Sequence, residues 1–495
     1  MHPAHAMRPG RRILIRRLVS IGPIGLANLL ASPPARAQPT APPPPIDAPA
    51  PTRSLTMSEA LSYAHEHQPS IRAALARVAA RAARSAVPSG QWLPTVGVTA
   101  QLFGMTANNT TGTYVQPDFM DIPRIGATPA KADGSMMPYA STLVGAGLLQ
   151  EVFDFGRIGA QRAAADALVE AEKHDADAER LDVDFGVEEA FFSVFAAKAI
   201  VKASDDAYER ARVHRDLAQA GVNSGLRSPI ELTRAQADLA RFDIGRVRAR
   251  GGLAVAQSVL AAAIGAPDAA VDASPAAAGA TAKSGEAPEP AEMPPLSRAV
   301  ALAQARDPRL AAAISALRAA EEHTRAVGAE LRPDLSLTAT ITGRAGGAQP
   351  NSGASGVPSG DGWIPSVPNW DVGVLLTWPL FDGVIAARRD AARSEEQVRR
   401  EEIDVEREQE VARVRETYVA VQVARSTLSA LDNAVVAARA NYEQADARFR
   451  AGIGNAVELA DAEAVRTDAD IQLALGEFEL ARARAAFGRA IAEGL

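Results

Sequence analysis

The chain has 495 residues, a net charge of −7, 47% hydrophobic residues, only 5% aromatic residues and no cysteine. The missing cysteine excludes disulfides, thiolate metal sites, a cysteine nucleophile and a lipid-modified N-terminal cysteine. Abundant alanine with few aromatics suits long helices meeting along narrow seams better than a thick globular core, and the acidic balance argues against nucleic acid as a partner.

At the N-terminus Arg8, Arg11, Arg12, Arg16 and Arg17 form a basic region, residues 18–30 are mainly apolar, and Ala35-Arg36-Ala37 has the small-x-small form of a cleavage site. This pattern predicts a secretory signal over 1–37, with the paired arginines also compatible with twin-arginine export. Cleavage there removes six arginines and no acid, taking the net charge from −7 to −13. No later stretch has the run of about 20 apolar residues that a membrane-spanning helix needs, so any crossing is by strands. Residues 38–55 are rich in proline and alanine and read as a stiff linker.

A first structural repeat is expected over 56–265. A helical pattern begins near Ser58, and a second helix is predicted over 71–87. Residues 92–103 then alternate, with Val96, Val98, Ala100 and Leu102 on one face and Thr95, Gly97, Thr99 and Gln101 on the other, which predicts a strand. Residues 104–138 read as a long exposed loop, and 140–153 as the returning strand. Val152-Phe153-Asp154-Phe155-Gly156 joins that strand to a proline-free stretch predicted as helix over 156–221. A turn at Asn223-Ser224-Gly225 leads to a helix over 229–264, opened by Pro229. Residues 266–295 read as a linker between repeats.

The pattern then restarts over 296–495. At a shift of 239 positions Ser58 meets Ser297, Pro69 meets Pro308, Pro94 meets Pro333 and Thr99 meets Thr338; at a shift of 227 Gly156 meets Gly383, Gly225 meets Gly452 and Glu231 meets Glu458. A helix is predicted over 309–330, strands over 334–343 and 370–381, the last ending in Trp-Pro-Leu-Phe-Asp-Gly, and helices over 383–451 and 455–492. Leu428, Leu431, Val435, Ala438, Tyr442, Ala445 and Phe449 have the spacing of a coiled-coil seam. The charged runs at 393–396 and 406–408 read as solvated faces. Trp92, Trp363, Trp370 and Trp378 all fall in or beside strand segments, as in the aromatic belt of a transmembrane barrel.

Four strands cannot close a barrel in lipid, where an open edge leaves backbone groups unpaired, so several chains must share one wall. Each repeat has one long helix that the shorter ones, stacked end to end, roughly match, which suggests a cylinder of rods. This duplicated plan, with Pro94 and Pro333 entering strands and Pro-Leu-Phe-Asp-Gly leaving one, resembles the TolC-type outer-membrane efflux proteins over essentially the whole chain after the signal. The resemblance implies an α+β membrane protein: a homotrimer with one 12-stranded β-barrel in outer-membrane lipid, continuous with a long periplasmic α-helical barrel. It also implies a passive exit duct of a tripartite efflux or type I secretion system, docked to a periplasmic adaptor and an inner-membrane transporter. Two rivals are a periplasmic adaptor, which would show one helical hairpin between strand-rich domains, and a structural periplasmic coiled coil, which leaves the alternating strands unexplained. Either rival would be soluble without detergent.

Within this reading the helix turns far from the strands are the informative places. Glu458 and Asp461 are three residues apart on one helical face, and threefold repetition would stack them as two carboxylate rings able to select cations. In similar proteins acids at these positions line the closed periplasmic end, and Glu231 matches an acid in the links that hold it shut. The basic residue that often follows the tip glycine is replaced by Gly454, while Arg227 sits in the first turn. Phe449 matches an aromatic position near the constriction and also completes the seam. His65 and His67 point to different sides of one helix and cannot jointly hold a metal. No catalytic triad, phosphate loop or nucleotide fingerprint stands out, so neither enzyme activity nor a cofactor is expected.

Overall fold

The computed structural model describes residues 54–106, 138–274, 293–345 and 369–493. The expected signal 1–37, most of the segments 38–55, 104–138 and 266–295, and Trp363 lie outside the described residues.

Local chemistry sets the helix boundaries. Thr56 and Glu59 form a capping box for α1 (Met57–His67), with Glu59 N 3.3 Å from Thr56 Oγ1 and Thr56 N 2.9 Å from Glu59 Oε2. Pro69 opens α2 (Pro69–Gly90), where a first turn has no use for the missing amide hydrogen. This helix runs past the expected end at 87 and takes Pro88 into its last turn, where only one intrahelical bond is forgone. Next come β2 (Thr95–Thr106) and β3 (Pro138–Phe153). Asp154 turns β3 into α3 (Arg157–Asn223): its carboxylate accepts from Gly156 N at 3.0 Å and from Ile158 N, while Phe155 and Gly156 adopt φ of 52° and 97°. α4 (Pro229–Ala263) returns alongside α3.

The second half repeats the order as α5 (Leu296–Arg306), α6 (Pro308–Ala329), β5 (Asp334–Ala345), β6 (Asn369–Thr377), α7 (Gly383–Arg450) and α8 (Ala456–Ala490). Asp382 caps α7, accepting from Val384 N at 2.7 Å and Ile385 N at 3.1 Å. α1, α2 and α4 have 11, 22 and 35 residues and together match the 67 of α3; α5, α6 and α8 repeat those lengths against the 68 of α7. At 1.5 Å per residue each long helix is about 100 Å.

Three expectations need correction. The segments 38–55 and 266–295 are not linker throughout, because β1 (Ser54–Leu55) pairs in parallel with β4 (Asp272–Ala273) and closes a core of Ile71, Val187, Phe191, Val194, Leu260 and Ile264. Trp92 lies in the turn before Pro94, outside β2. β6 stops at Thr377, short of Trp378 and Leu380: Pro379 has no amide to donate, and Thr377's partner, Asp334, itself follows Pro333.

β2, β3, β5 and β6 form one antiparallel sheet in that order, leaving β2 and β6 as edges. Its register aligns one row of Val98, Ala146, Ile341 and Trp370 and another of Val96, Leu148, Ala339 and Val372 on one face. Gly97, Gly147, Thr340 and Asp371 share a row on the opposite face. The apolar face is uncovered: Val96, Val98, Leu102, Val372 and Val374 are 65–72% exposed, whereas Ser336, Thr338 and Thr340 opposite are buried. A water-soluble sheet shows the reverse.

Candidate functional site

The far ends of the long helices form two neighbouring tips. In the α3–α4 turn Gly225 takes φ of 73°, and the amides of Leu226 and Arg227 both donate to Gly221 O, at 2.9 and 3.1 Å. This folds Arg227 back across Gly221 so closely that a Cβ there would lie 2.6 Å from Arg227 Cδ. Arg227 then spans both tips. Its Nη1 donates to Glu231 Oε2 at 3.1 Å, its Nη2 donates to Phe449 O at 3.2 Å, and the guanidinium stacks 3.9 Å over the Phe449 ring.

The α7–α8 turn has the same backbone plan. Gly452 takes φ of 76°, and the amides of Ile453 and Gly454 donate to Arg448 O at 3.1 and 2.9 Å. Here a side chain at position 454 has no room, since a Cβ would sit 2.7 Å from Phe449 N. The first turn therefore supplies the cation that the second lacks. Asn455 caps α8 through Val457 N at 2.9 Å, which presents Glu458 and Asp461 on its first turns. Both are exposed; Glu458 pairs with Arg448 at 3.2 Å, and among the described residues no ion pair to Asp461 occurs.

Phe449 does not face an open passage: it is 4% exposed and packs with Tyr442, Ala445, Leu459 and Ala462. The other predicted seam residues are buried or half-buried along α7. Behind Phe449 lie two links that the sequence did not disclose. Glu463 is 2% exposed and accepts from Arg210 Nε at 2.9 Å on both oxygens and from Thr467 Oγ1 at 3.1 Å. His214 Nε2 and Tyr442 OH share a hydrogen bond of 3.1 Å. Burial lowers the His214 pKa against the pull of Asp446, with Arg450 and Arg210 adding to the lowering, and favours the neutral ring; burial and Glu463 push the Tyr442 hydroxyl up to about 12. Such contacts join helices 228 and 253 residues apart, and a single acid and arginine at that separation carry no periodic signal.

The remaining marked residues lie elsewhere. Trp370 in β6 and Trp378 just beyond its end are 76% and 56% exposed, and Trp92 is also exposed. His65 pairs with Asp184 while His67 Nδ1 lies 3.0 Å from Tyr63 O, so the two rings do separate. Arg407 and Glu408 are exposed as expected for a solvated run, but Glu406 turns inward to Arg413.

A family model described as outer membrane efflux protein matches residues 60–266 and 299–493. Several solved structures share the fold. The outer-membrane channel OprN superposes with a TM-score of 0.65 at 20% identity, covering 88% of this chain and 90% of its own. The CmeC outer membrane channel of Campylobacter jejuni gives 0.67 at 15% identity, covering 89% and 86%. The open state of the MtrE outer membrane channel of Neisseria gonorrhoeae gives 0.63 at 18% identity, covering 89% of each chain. No curated protein matches by sequence.

Proposed function

The chain belongs to the outer membrane efflux protein family, resident in the outer membrane with a periplasmic extension, and on that premise we propose that it is one third of a passive exit duct. Three copies place edge β6 of one chain beside edge β2 of the next, closing a 12-stranded barrel, and their helices continue it as a periplasmic tube. The two halves of each chain act as copies of one unit. The observation that carries this reading is the four-stranded sheet with an uncovered apolar face and two unpaired edges. In water such a sheet is an aggregation site, whereas in lipid it is a wall segment awaiting its neighbours.

The helices support the same closure. Val384, Ala391, Val398, Val405, Ala412 and Val419 recur every seven residues along α7 and are all exposed. This is a second seam with no partner among the described residues, and the apolar residues Leu75 and Val87 of α2 and Val247 and Val255 of α4 offer it one on a neighbouring copy. A periplasmic adaptor and an inner-membrane transporter then supply substrate and energy at the tips. Leu226, Ile230, Ile453 and Val457 are exposed there and give the adaptor an apolar footing. Glu458 and Asp461 form carboxylate rings at the passage, and Glu231 with Arg227 ties the paired tips together.

The test uses the absence of cysteine, which makes introduced pairs unambiguous. Cysteines replacing Val384 on α7 and Val87 on α2 should join chains into a covalent trimer under oxidation in membranes. Crosslinks confined to one chain, or full solubility without detergent, would refute the shared wall.

A further inference from the structure

The break between α5 and α6 rests on a buried cluster of acids with too little positive charge. Asp307, 4% exposed, caps α6 by accepting from Arg309 N at 2.9 Å. Facing it on α7 are Glu406 and Glu410, and one carboxylate oxygen from each of the three lies within 4.8 Å of the others. Arg413 Nη2 reaches Glu406 at 2.6 Å, Glu410 Oε2 at 2.6 Å and Asp307 Oδ2 at 3.4 Å. One guanidinium thus serves three carboxylates. Glu410 is 2% exposed, and among the described residues no donor reaches its Oε1. A buried ionised oxygen with no donor is costly, and the cluster lacks a positive charge at that spot.

Among the described residues the surrounding elements do not provide one. On α8 Arg489 lies near Asp307 but is engaged by Asp182 of α3 at 2.6 Å, and Arg309 of α6 binds the same Asp182 at 2.7 Å. Arg306 at the end of α5 is exposed. A metal ion would have to displace Arg413, which already occupies the space between the carboxylates. The positions related by the shifts of 239 and 227 are Gln68 for Asp307, Val183 for Glu410 and Gly186 for Arg413, and Val183 is simply buried in the core. The fold therefore does not require an acid at this place.

We propose that Glu410 is protonated in the folded protein in mildly acidic medium and donates its hydroxyl hydrogen to Asp307, so that one proton fastens the α5–α6 break to α7 and is released as the medium passes neutrality. Burial, the hydrogen bond with Asp307 and the negative charge of Asp307 agree with this, pushing Glu410 from 4.5 up to about 7 against the pull of Arg413. Burial opposes the charge on Asp307, but the hydrogen bonds from Glu410 and the Arg309 amide, with Arg413, hold it below its ordinary range. The sign follows: a carboxyl raised in the folded state contributes fully below its ordinary 4.5 and loses that contribution as pH rises through about 7. The proposal concerns the hinge between rods and does not depend on what the duct conducts.

Hydrogen exchange of the full protein in detergent, corrected for the intrinsic rate, tests it on peptides covering 296–312 and 403–415. Opening should rise about tenfold between about pH 6 and pH 8.5. Glu410→Gln, whose amide can donate to Asp307 in place of the proton, should flatten that rise. Asp307→Asn keeps the helix cap and should move the step down toward the ordinary carboxylate range. A flat profile in the parent protein, or an unchanged rise in Glu410→Gln, would overturn the proposal. So would protection that responds to added magnesium, calcium or a chelator, since a metal would then hold the cluster.

Discussion

Replacing Arg227 with alanine should release one tip from the other. Three contacts disappear: the charge-assisted hydrogen bond to Phe449 O at 3.2 Å, the stack on the Phe449 ring at 3.9 Å and the partly exposed pair with Glu231 at 3.1 Å. Their gross contributions are about 2 kcal/mol, about 1 kcal/mol and at most about 0.5 kcal/mol. Freeing an ordered arginine returns about 1.5 kcal/mol, so the net loss is about 2 kcal/mol per chain, or about thirtyfold in the tip equilibrium. Three coupled chains would multiply the effect. In planar bilayers the variant should spend far more time in conducting states, and peptides around 221–231 and 445–455 should exchange faster. Arg227→Lys keeps the pair with Glu231 but loses the planar stack, and should fall between. Closed-state occupancy equal to that of the parent, with unchanged exchange, would show that the contact carries no load.

Four further outcomes follow from neighbouring geometry. Glu458→Ala with Asp461→Ala should reduce cation preference in bilayer conductance, and unchanged reversal potentials would remove the ring assignment. Gly454→Ala should destabilise the α7–α8 turn by about 1–3 kcal/mol in thermal unfolding, because the added carbon meets the backbone at Phe449 N, 2.7 Å away, and not a movable side chain. Glu463→Ala leaves Arg210 partly buried without its carboxylate and should cost about 3 kcal/mol, more than Glu458→Ala, measured by the same unfolding. His214 has a lowered folded pKa, so the tip should lose stability as pH falls below the ordinary histidine value of 6.5; His214→Phe should remove that dependence in exchange measurements.

How legible each feature was depends on its range along the chain. Pro69 and Pro308 marked helix breaks, Gly225 and Gly452 marked the tips, and alternation at Val96–Leu102 gave the lipid-compatible face, because each of these acts over a few residues. The β1–β4 bridge was not legible: it is two residues long, and Ser54 meets Asp272 across 218 positions. Glu406 was read with its charged neighbours as solvated, yet helix phase turns it inward while Arg407 and Glu408 stay out. Composition of a run does not resolve the phase of its members. Arg227 was visible in the turn, but only the close pass over Gly221 shows that it reaches the other tip.

The aspartate caps at the two strand ends have a mechanical result. Asp154 and Asp382 fix the start of each rod by accepting hydrogen bonds from the first helical amides just beyond the strands, which sets the direction in which each rod leaves the sheet end. A tilt of one degree at the clamp swings the free end of α7, about 100 Å away, by about 1.8 Å. In the proposed trimer, displacements too small to disturb the strand wall are thus amplified by leverage where the rods end, so that an aperture among the tips would widen while its foundation stays still.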